Sequence, residues 1–265
     1  PIRTYYRYDR EHGFAGAVEM CNGAGICRRV APANTGGTMC PSYRALLDER
    51  HATRGRGNAL RLAITGQLRD GGCPQPSWND PETLDTLRLC LSCKACKTEC
   101  PSNVDIAKLK SEYLAQRYDA IGEVPLAARL FGHVRPMNRL GSAVHPLANA
   151  MARLPLSKWL ASRIADVDPR RTLPRYGQSL HRWFAARRRS TPVPESAPAV
   201  VLFPDCFTVY NEPQVGRATI IALEALGYRV ILPPPASGVG CCGRSYMSTG
   251  MLREVVQERW TGLDR

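Results

Sequence analysis

Four cysteines stand at fixed intervals between residues 90 and 100. Cys90, Cys93 and Cys96 are spaced three residues apart, and Cys100 comes directly before Pro101. Thiolates are the soft ligands that iron–sulfur clusters select, and this spacing is typical of a loop that holds a cubane [4Fe–4S] cluster. A zinc ribbon would need two C-x2-C pairs separated by a longer arm. The motif therefore favours an iron–sulfur cluster over a zinc site or a set of buried thiols.

An incomplete copy of the same motif lies upstream. Cys21 and Cys27 match its first and third cysteines, and Ala24 stands where the second is expected. Cys40, followed by Pro41, supplies the cysteine–proline end of the motif after an insertion. The chain therefore contains two ferredoxin-type half-sites, one of them degenerate.

Ferredoxins with two clusters exchange the fourth cysteine between their half-sites. By this rule the first site contains four thiolates, which are those of Cys40, Cys90, Cys93 and Cys96. The second contains three, which are those of Cys21, Cys27 and Cys100. Such a site is expected to hold a [3Fe–4S] cluster or a [4Fe–4S] cluster with a water or side-chain ligand, or else to be empty.

Residues 51–57 are predicted to be a basic, glycine-containing turn between helices over 42–50 and 58–69. Arg54 and Arg56 in this turn would offset the negative charge of a cluster, although an ordinary basic turn explains them equally well. His51 is considered as the missing ligand of the second site, but a lone histidine is more often structural. Cys73 has no partner at motif spacing and is interpreted as a loop thiol.

Helical patterns flank the cysteine motifs. Asp80 followed by Pro81 is typical of a helix start and predicts a helix over 81–89 that leads to Cys90. Apolar residues at helical spacing predict another helix over 105–118. We therefore expect residues 1–120 to form a mainly α-helical, ferredoxin-like iron–sulfur domain.

Most of the net charge of +13 is concentrated in one segment. Residues 125–191 contain thirteen Lys or Arg against two Asp. We interpret residues 121–198 as a basic helical segment with a Pro-rich linker, and its charge as a solvated face or a docking face for an acidic domain. Nucleic acid and an anionic membrane surface are the alternatives, and the first is disfavoured because aromatic residues do not alternate with the arginines. An apolar stripe at residues 140, 144, 147 and 151 is predicted to face a core.

Residues 199–265 begin with a strand–helix–strand pattern over 199–203, 213–226 and 228–232. This pattern predicts a βαβ unit with a parallel sheet. Cys206 follows the first strand, and Cys241 and Cys242 lie in a glycine-rich loop after the second. Sites in open α/β sheets lie at the carboxyl ends of the strands, so these three cysteines are expected to converge in a metal or redox loop.

Length and composition limit the class of protein. A chain of 265 residues favours two domains, and eleven clustered cysteines indicate metal binding in a reducing cytoplasm rather than a secreted disulfide framework. No apolar run is long enough to span a membrane and no signal peptide is visible, so the expected location is cytoplasmic, with peripheral contact at the inner face of the membrane as an option. Because the chain starts at Pro1 and its last cysteine motif lies near its end, we interpret it as part of a longer polypeptide.

The cysteine motifs resemble a known family. Cys206 followed at a distance by Cys241-Cys242-Gly243 resembles the first half of the CCG domain of heterodisulfide reductases and of the glycolate oxidase iron–sulfur subunit. The stretches 21–28, 37–44, 51–56 and 91–96 are similar to the C-terminal half of flavin/iron–sulfur fusion proteins of the D-lactate and D-2-hydroxyglutarate dehydrogenase type. The resemblance implies that an incomplete α/β CCG domain follows the iron–sulfur domain.

The resemblance also implies a function, namely oxidation of a 2-hydroxyacid on an upstream FAD domain with electron transfer through this chain to an acceptor. The acceptor would be a quinone, a cytochrome or a disulfide, and no nucleic-acid partner is expected. A heterodisulfide-reductase-type component with thiol–disulfide chemistry at residues 206, 241 and 242 is the alternative. A basic, metal-stabilised nucleic-acid-binding protein is a third and weaker hypothesis.

Overall fold

The computed structural model describes residues 2–30, 37–67, 75–187, 193–235 and 241–259. These residues are mainly helical and contain one two-stranded parallel sheet. They belong to two compact units, one made of residues 1–124 and 247–253 and the other of residues 125–246 and 254–265. The division into functional domains 1–120, 121–198 and 199–265 stays a prediction. No helix in the described ranges is both long and apolar enough to cross a membrane.

The first part of the chain contains two longer helices and several short ones. They are α1 (Phe14–Glu19), α2 (Pro41–Leu46), α3 (Thr53–Thr65), α4 (Pro81–Arg88), α5 (Ala95–Glu99) and α6 (Ile106–Ile121), and the two longer ones are α3 and α6. The later helices are α7 (Leu126–Gly132), α8 (Val134–Ala143), α9 (His145–Met151), α10 (Pro155–Ala165), α11 (Leu180–Ala186), α12 (Pro213–Ala225), α13 (Arg244–Thr249) and α14 (Leu252–Arg259). The strands are β1 (Ala199–Val201) and β2 (Arg229–Ile231).

An aromatic core holds α1, α3, α4 and α6 together in the first unit. The ring of Trp78 lies 6.2 Å from Phe14 and 5.6 Å from Tyr113, between centroids. Leu60 of α3 and Leu87 of α4 are buried in the same core. Because α4 and α5 lead into and out of residues 90–96, this packing fixes the position of the cysteine motif.

Aspartate caps begin the two helices that flank the motif. The carboxylate of Asp80 accepts a hydrogen bond from the backbone N–H of Thr83 at 2.7 Å, and that of Asp105 accepts one from Lys108 at 3.0 Å. Each cap satisfies an N–H group that has no partner within the helix. Both predicted helices are therefore confirmed, to within three residues at their ends.

The predicted turn over 51–57 is wrong. Helix α3 begins at Thr53, so residues 54–57 are helical, while α2 ends at Leu46 and a 3-10 turn covers Glu49–His51. Gly55 is needed for close packing, because a Cβ there would lie 2.1 Å from the carbonyl oxygen of Glu49. Gly55 thus allows α3 to lie close to the carbonyl oxygen of Glu49, and it does not mark the end of a helix.

Residues 247–253 pack on α6, a contact that the sequence did not suggest. The hydroxyl of Tyr118 donates to the carbonyl oxygen of Thr249 at 2.9 Å, and Arg253 pairs with Asp119 at 2.8 Å. Gly250 has φ +79°, and a Cβ there would lie 2.3 Å from the Cβ of Leu114. Only glycine allows this approach, so the segment is specifically fitted to α6.

The second unit contains the parallel sheet. Ala199, Val200 and Val201 pair in register with residues 229–231, and α12 connects the two strands. The predicted strand–helix–strand order and parallel pairing are confirmed, with strands of three residues instead of five. A π-helix over Phe207–Asn211 follows β1 and was not predicted. The CCG character of this part of the chain stays a prediction.

The apolar stripe at residues 140–151 was predicted to face a core, and this prediction is wrong. Leu140, Val144, Leu147 and Met151 are all exposed. The buried face of α8 is polar instead, because the hydroxyl of Ser142 donates to the carbonyl oxygen of Gly177 at 2.6 Å. Helix α8 is therefore anchored by hydrogen bonds on one face, and its apolar face points outward.

Candidate metal centre

The four thiols predicted for the first site line a single cavity. Cys40 lies immediately before α2, Cys90 follows α4, Cys93 lies in the connection to α5, and Cys96 lies in the first turn of α5. Residues almost sixty positions apart in the chain thus meet at one place. Their ligation of a cluster stays a prediction, for which the cavity lining supplies the four donors.

The loop that carries Cys93 has an unusual backbone. Ser92 and Lys94, on either side of Cys93, have φ values of 51° and 62°, in the left-handed region. Such residues reverse the chain tightly and can turn successive N–H groups toward one side, where they favour an anion. The ammonium group of Lys94 is held 2.9 Å from the carboxylate of Asp105. The loop is thus fixed to the N-terminal end of α6.

Glu99 joins the two halves of the first site. Its carboxylate accepts hydrogen bonds from the backbone N–H groups of Thr38 at 2.7 Å and Met39 at 2.8 Å. These bonds, above all the one from Thr38, hold the pKa of Glu99 below its usual range. Because Glu99 is on α5 with Cys96, it ties the segment leading to Cys40 to the helix that carries Cys96.

Burial raises the pKa of two of the four thiols and so disfavours their thiolate forms. It raises the pKa of Cys40, although a contact of 2.9 Å with the hydroxyl of Thr53 and the charge of Arg56 act in the opposite direction. Burial also raises the pKa of Cys96 to about 11. Metal binding requires thiolates, so assembly of a cluster here would release protons.

Two cations lie beside these thiols without an acidic partner. Arg56 is only 3% exposed, and its Nη1 lies 4.0 Å from the sulfur of Cys40. The ammonium group of Lys110 donates to the carbonyl oxygen of Cys90 at 2.9 Å, and burial lowers the pKa of Lys110. Within the described residues neither cation forms an ion pair with a carboxylate. Buried positive charge is costly unless it is compensated, and a negatively charged iron–thiolate cluster would compensate it.

The thiols do not converge as a single metal ion would require. Across the described ranges, no three His, Cys, Asp or Glu side chains lie close enough together to hold one ion. Zinc needs four ligands about 2.0–2.3 Å from one centre, whereas a cubane is held by thiolates on separate irons. The arrangement therefore fits a cluster better than zinc.

The loop of the degenerate motif shares one backbone feature with that of the complete one. Gly23 and Gly25 flank Ala24 with φ values of 79° and 71°, as Ser92 and Lys94 flank Cys93. The side-chain oxygen of Asn22 accepts a hydrogen bond from the N–H of Ala24 at 3.1 Å. The loop thus has left-handed residues on either side of the position where the thiol is missing.

The three thiols predicted for the second site pack against the same core. Cys27 is buried, while Cys21 and Cys100 are half-buried. Thiolates at residues 21 and 27 contribute to a raised pKa of Arg54, whose main cause is the hydrogen bond to Glu49. Residues 21 and 27 thus lie near one cation, whereas the approach of Cys100 to them stays a prediction.

The other residues considered for a role beside the clusters in the first unit differ in their surroundings. Arg54 pairs with Glu49 at 2.6 Å, whereas Arg56 lies at the first cavity. His51 is buried, and its Nε2 lies 4.0 Å from the carboxylate of Asp48, which gives it a structural contact. Cys73 lies outside the described residues. The sequence offered no means of distinguishing the two arginines, because both stand in one short basic stretch.

In the second unit the pKa of Cys206 responds to the other two cysteines of the predicted loop. Burial raises the pKa of Cys206, and the charges of Cys241 and Cys242 raise it further. The guanidinium of Arg135 acts against this, with its Nη1 3.9 Å from the sulfur of Cys206 and 3.4 Å from the carbonyl oxygen of Pro204. Motif spacing did not single out Arg135, which was only one of many arginines in the basic segment.

Comparisons with known proteins bear on the cofactor. Residues 17–104 match the family model described as a 4Fe-4S dicluster domain. This range contains all seven cysteines assigned to the two clusters. The match confirms the prediction of a [4Fe–4S] cofactor in this part of the chain.

Three curated relatives illustrate what the chain is similar to. It is 28% identical over 257 residues to a D-2-hydroxyglutarate dehydrogenase of Pseudomonas putida, an alignment that covers 83% of this chain and 25% of the relative. It is 28% identical over 165 residues to one subunit of the anaerobic glycerol-3-phosphate dehydrogenase of Escherichia coli, and this alignment covers 62% of this chain and 40% of the relative. It is 23% identical over 227 residues to a probable glycolate oxidase iron–sulfur subunit of Bacillus subtilis, and this alignment covers 80% of this chain and 47% of the relative.

The chain therefore spans about a quarter of the length of the D-2-hydroxyglutarate dehydrogenases that it matches. Among solved structures, none matches the chain. The relatives are named as dehydrogenase or oxidase components, and two of the names belong to proteins that act on 2-hydroxyacids. The matches confirm the resemblance inferred from the cysteine motifs, which is to the iron–sulfur part of FAD-linked 2-hydroxyacid dehydrogenases.

Proposed function

We propose that this chain is the electron-transfer part of an FAD-linked 2-hydroxyacid dehydrogenase. The observation that carries the proposal is the meeting of four thiols at one cavity beside a buried and a half-buried cation that have no acidic partner among the described residues. The names of the relatives support an oxidoreductase component. An FAD-binding domain or subunit would be the electron donor, and the acceptor would be a quinone, a cytochrome or a disulfide.

A [4Fe–4S] cluster supplies reversible one-electron transfer when it is bound. Cys40, Cys90, Cys93 and Cys96 would hold it, and the protein would determine how readily it accepts an electron. Arg56 places a positive charge next to Cys40, which favours the more negative, reduced form. Burial of Cys40 and Cys96 excludes water on one side.

The other side of the first site is open. Cys93 is exposed, and Leu91 beside it is 70% exposed. An electron donor or acceptor can therefore approach the edge formed by Cys93 more closely than the edge formed by Cys96. We propose this edge as the place where electrons enter or leave the first cluster.

The experiment uses the complete polypeptide in which the chain occurs, purified anaerobically with FAD bound. D-2-Hydroxyglutarate, D-lactate, glycolate and glycerol 3-phosphate are added separately, and electron paramagnetic resonance (EPR) follows the clusters. We expect a reduced-cluster signal with one of the three 2-hydroxyacids. In Cys93→Ser the flavin should still be bleached by that substrate, while the signal of the first cluster is absent. Bleaching of the flavin with no cluster reduction in the unmodified protein would contradict the proposal.

A heterodisulfide-type component is the second candidate, favoured by the electrostatic effect of Cys241 and Cys242 on Cys206. In that case a disulfide substrate, and not a quinone or cytochrome, should reoxidise the reduced protein. Cys206→Ser should then abolish reoxidation by the disulfide. Equal reoxidation in Cys206→Ser and unmodified protein would exclude this function.

A further inference from the structure

Helices α8 and α9 carry an exposed row of apolar side chains that we call the apolar ridge. Its members are Met137, Leu140, Val144, Leu147 and Met151, with exposed fractions of 44%, 70%, 47%, 62% and 54%. Their spacing of three or four residues places them on one side of the two consecutive helices. A row of this kind in water is typical of a surface that something else covers.

The outward direction of the ridge is built into the fold. The side chain of Asn138 donates to the side-chain oxygen of Asn211 at 2.9 Å, on the buried face of α8. On α9, the amide of Asn149 donates to the carbonyl oxygen of Tyr176 at 2.8 Å and accepts from its N–H at 2.9 Å. A Cβ at Gly141 would lie 2.5 Å from the ring of Tyr176, so no larger residue fits on this face. These contacts hold the polar faces inward, and turning the ridge inward would break them.

A basic cavity adjoins the same two helices. It is lined by Arg139 from α8, by His145 from α9 and by His181 and Arg182 from α11, and no Asp or Glu among the described residues lines it. Within the same residues the Nε2 atom of His181 is buried without a hydrogen-bond partner. Like charges gathered around a cavity without acidic partners favour an anion. Arg139 directly precedes Leu140, so the cavity and the ridge share one stretch of chain.

The positive charge around the ridge indicates that the partner covering it is anionic. Residues 125–165 contain six Lys or Arg and no Asp or Glu. Helix α10 shows the same combination, with Trp159 and Leu156 exposed beside Lys158. Cationic residues next to exposed Leu and Trp are typical of helices that lie in the interface of an anionic bilayer. A second copy of the chain would bring like charges together, and this disfavours self-association.

We propose that the apolar ridge docks on an anionic lipid bilayer and that the basic cavity receives the phosphate of a lipid headgroup. The ridge would enter the boundary between headgroups and acyl chains, where apolar side chains leave water. Arg139 and Arg182 would contact the phosphate. The ridge and cavity residues are not among the cysteines proposed to carry electrons, so this proposal and the proposed electron transfer can fail separately.

The test is flotation of the purified holoprotein with vesicles of phosphatidylcholine, alone or mixed with one third phosphatidylglycerol. We expect flotation with the mixed vesicles only, and a loss of about tenfold or more in bound fraction for Leu140→Asp combined with Leu147→Asp. Arg139→Gln combined with Arg182→Gln should weaken binding to the mixed vesicles. Leu226→Asp and Arg171→Gln are the matched controls, since both residues are exposed and lie outside the ridge and the cavity.

The visible absorbance and far-ultraviolet circular dichroism spectra of each variant are compared with those of the unmodified protein. Matching spectra show that the variant is folded. Variants at other exposed apolar ridge positions, such as Val144→Asp, replace any that fail this check. Absence of flotation with both vesicle types would overturn the proposal. So would equal flotation of the ridge variants and the unmodified protein, or protection of the ridge by a co-purified protein instead of lipid.

Discussion

Ala24 and Cys93 each lie between two residues with positive φ values. These neighbours are in the left-handed region, and they are Gly23 and Gly25 around Ala24 and Ser92 and Lys94 around Cys93. Glycine adopts this region at little cost, whereas Ser and Lys need support from their surroundings. The degenerate loop therefore shares with the complete motif the left-handed residues on either side of its central position.

This shared feature predicts the effect of Ala24→Cys. If the second site is filled, the new thiolate should complete it, converting a three-iron or labile cluster into a stable [4Fe–4S] cluster. Where the starting cluster has three irons, iron content should rise from about seven to about eight atoms per chain, and the three-iron EPR signal should disappear. Ala24→Ser is the matched control, because a hydroxyl is a poorer ligand for iron. Unchanged iron content and spectra in Ala24→Cys would mean that the second site is empty.

Glu99 predicts a link between pH and the retention of the first cluster. Its pKa in the folded protein lies below the ordinary value of 4.5, because the N–H of Thr38 donates to it. Its contribution to stability is therefore fully present above pH 4.5 and is lost as pH falls through the lowered value. Glu99→Gln should lose visible absorbance faster than the unmodified protein at neutral pH, and the difference should shrink below about pH 4.5.

The measurement is the rate of absorbance loss over a pH series, with Glu82→Gln as control. Glu82 is exposed in the first turn of α4 and takes no part in joining the two halves of the site. Equal rates for Glu99→Gln and the unmodified protein at neutral pH would show that the Glu99 bridge does not hold the first site together.

Arg56 and Arg54 should affect the potential of the first cluster differently. Arg56→Gln removes a buried charge beside Cys40, so the reduced form loses stabilisation and the midpoint potential should fall. A unit charge about 7 Å from a redox centre, at an effective dielectric constant of about 20, changes a potential by roughly 100 mV. Arg54→Gln should give a smaller change, because Arg54 already pairs with Glu49. An EPR-monitored redox titration measures both, with Arg56→Lys expected to restore most of the loss.

The cysteine spacing predicted which thiols meet, but not how the chain brings them together. The intervals at residues 90–100 and the cysteine–proline pair at 40–41 predicted four cysteines that line one cavity, whereas the crossed assignment of the second site stays a prediction. The bridge from Glu99 to the N–H of Thr38 was not predictable, because it joins residues about sixty positions apart and has no motif. Local patterns encode local geometry, and such a bridge depends on how separate segments pack.

Glycine residues and apolar periodicity led to wrong predictions at positions where tertiary packing determines the structure. Gly55 suggested a turn, yet it allows α3 to pass close to the carbonyl oxygen of Glu49. The stripe from Leu140 to Met151 suggested a core, yet hydrogen bonds of Asn138 and Ser142 anchor the opposite face. Periodicity shows that a helix has an apolar face but not what lies against that face.

The most direct test of the central claim is the iron and acid-labile sulfide content of anaerobically purified Cys40→Ser, read together with its EPR spectrum. The crossed assignment predicts that this change removes the same [4Fe–4S] signal as Cys93→Ser, although Cys40 lies about fifty residues away in sequence. Cys73→Ser, which removes a thiol assigned to neither site, should retain full iron and sulfide. Full iron and sulfide with an unchanged spectrum in Cys40→Ser would contradict the account.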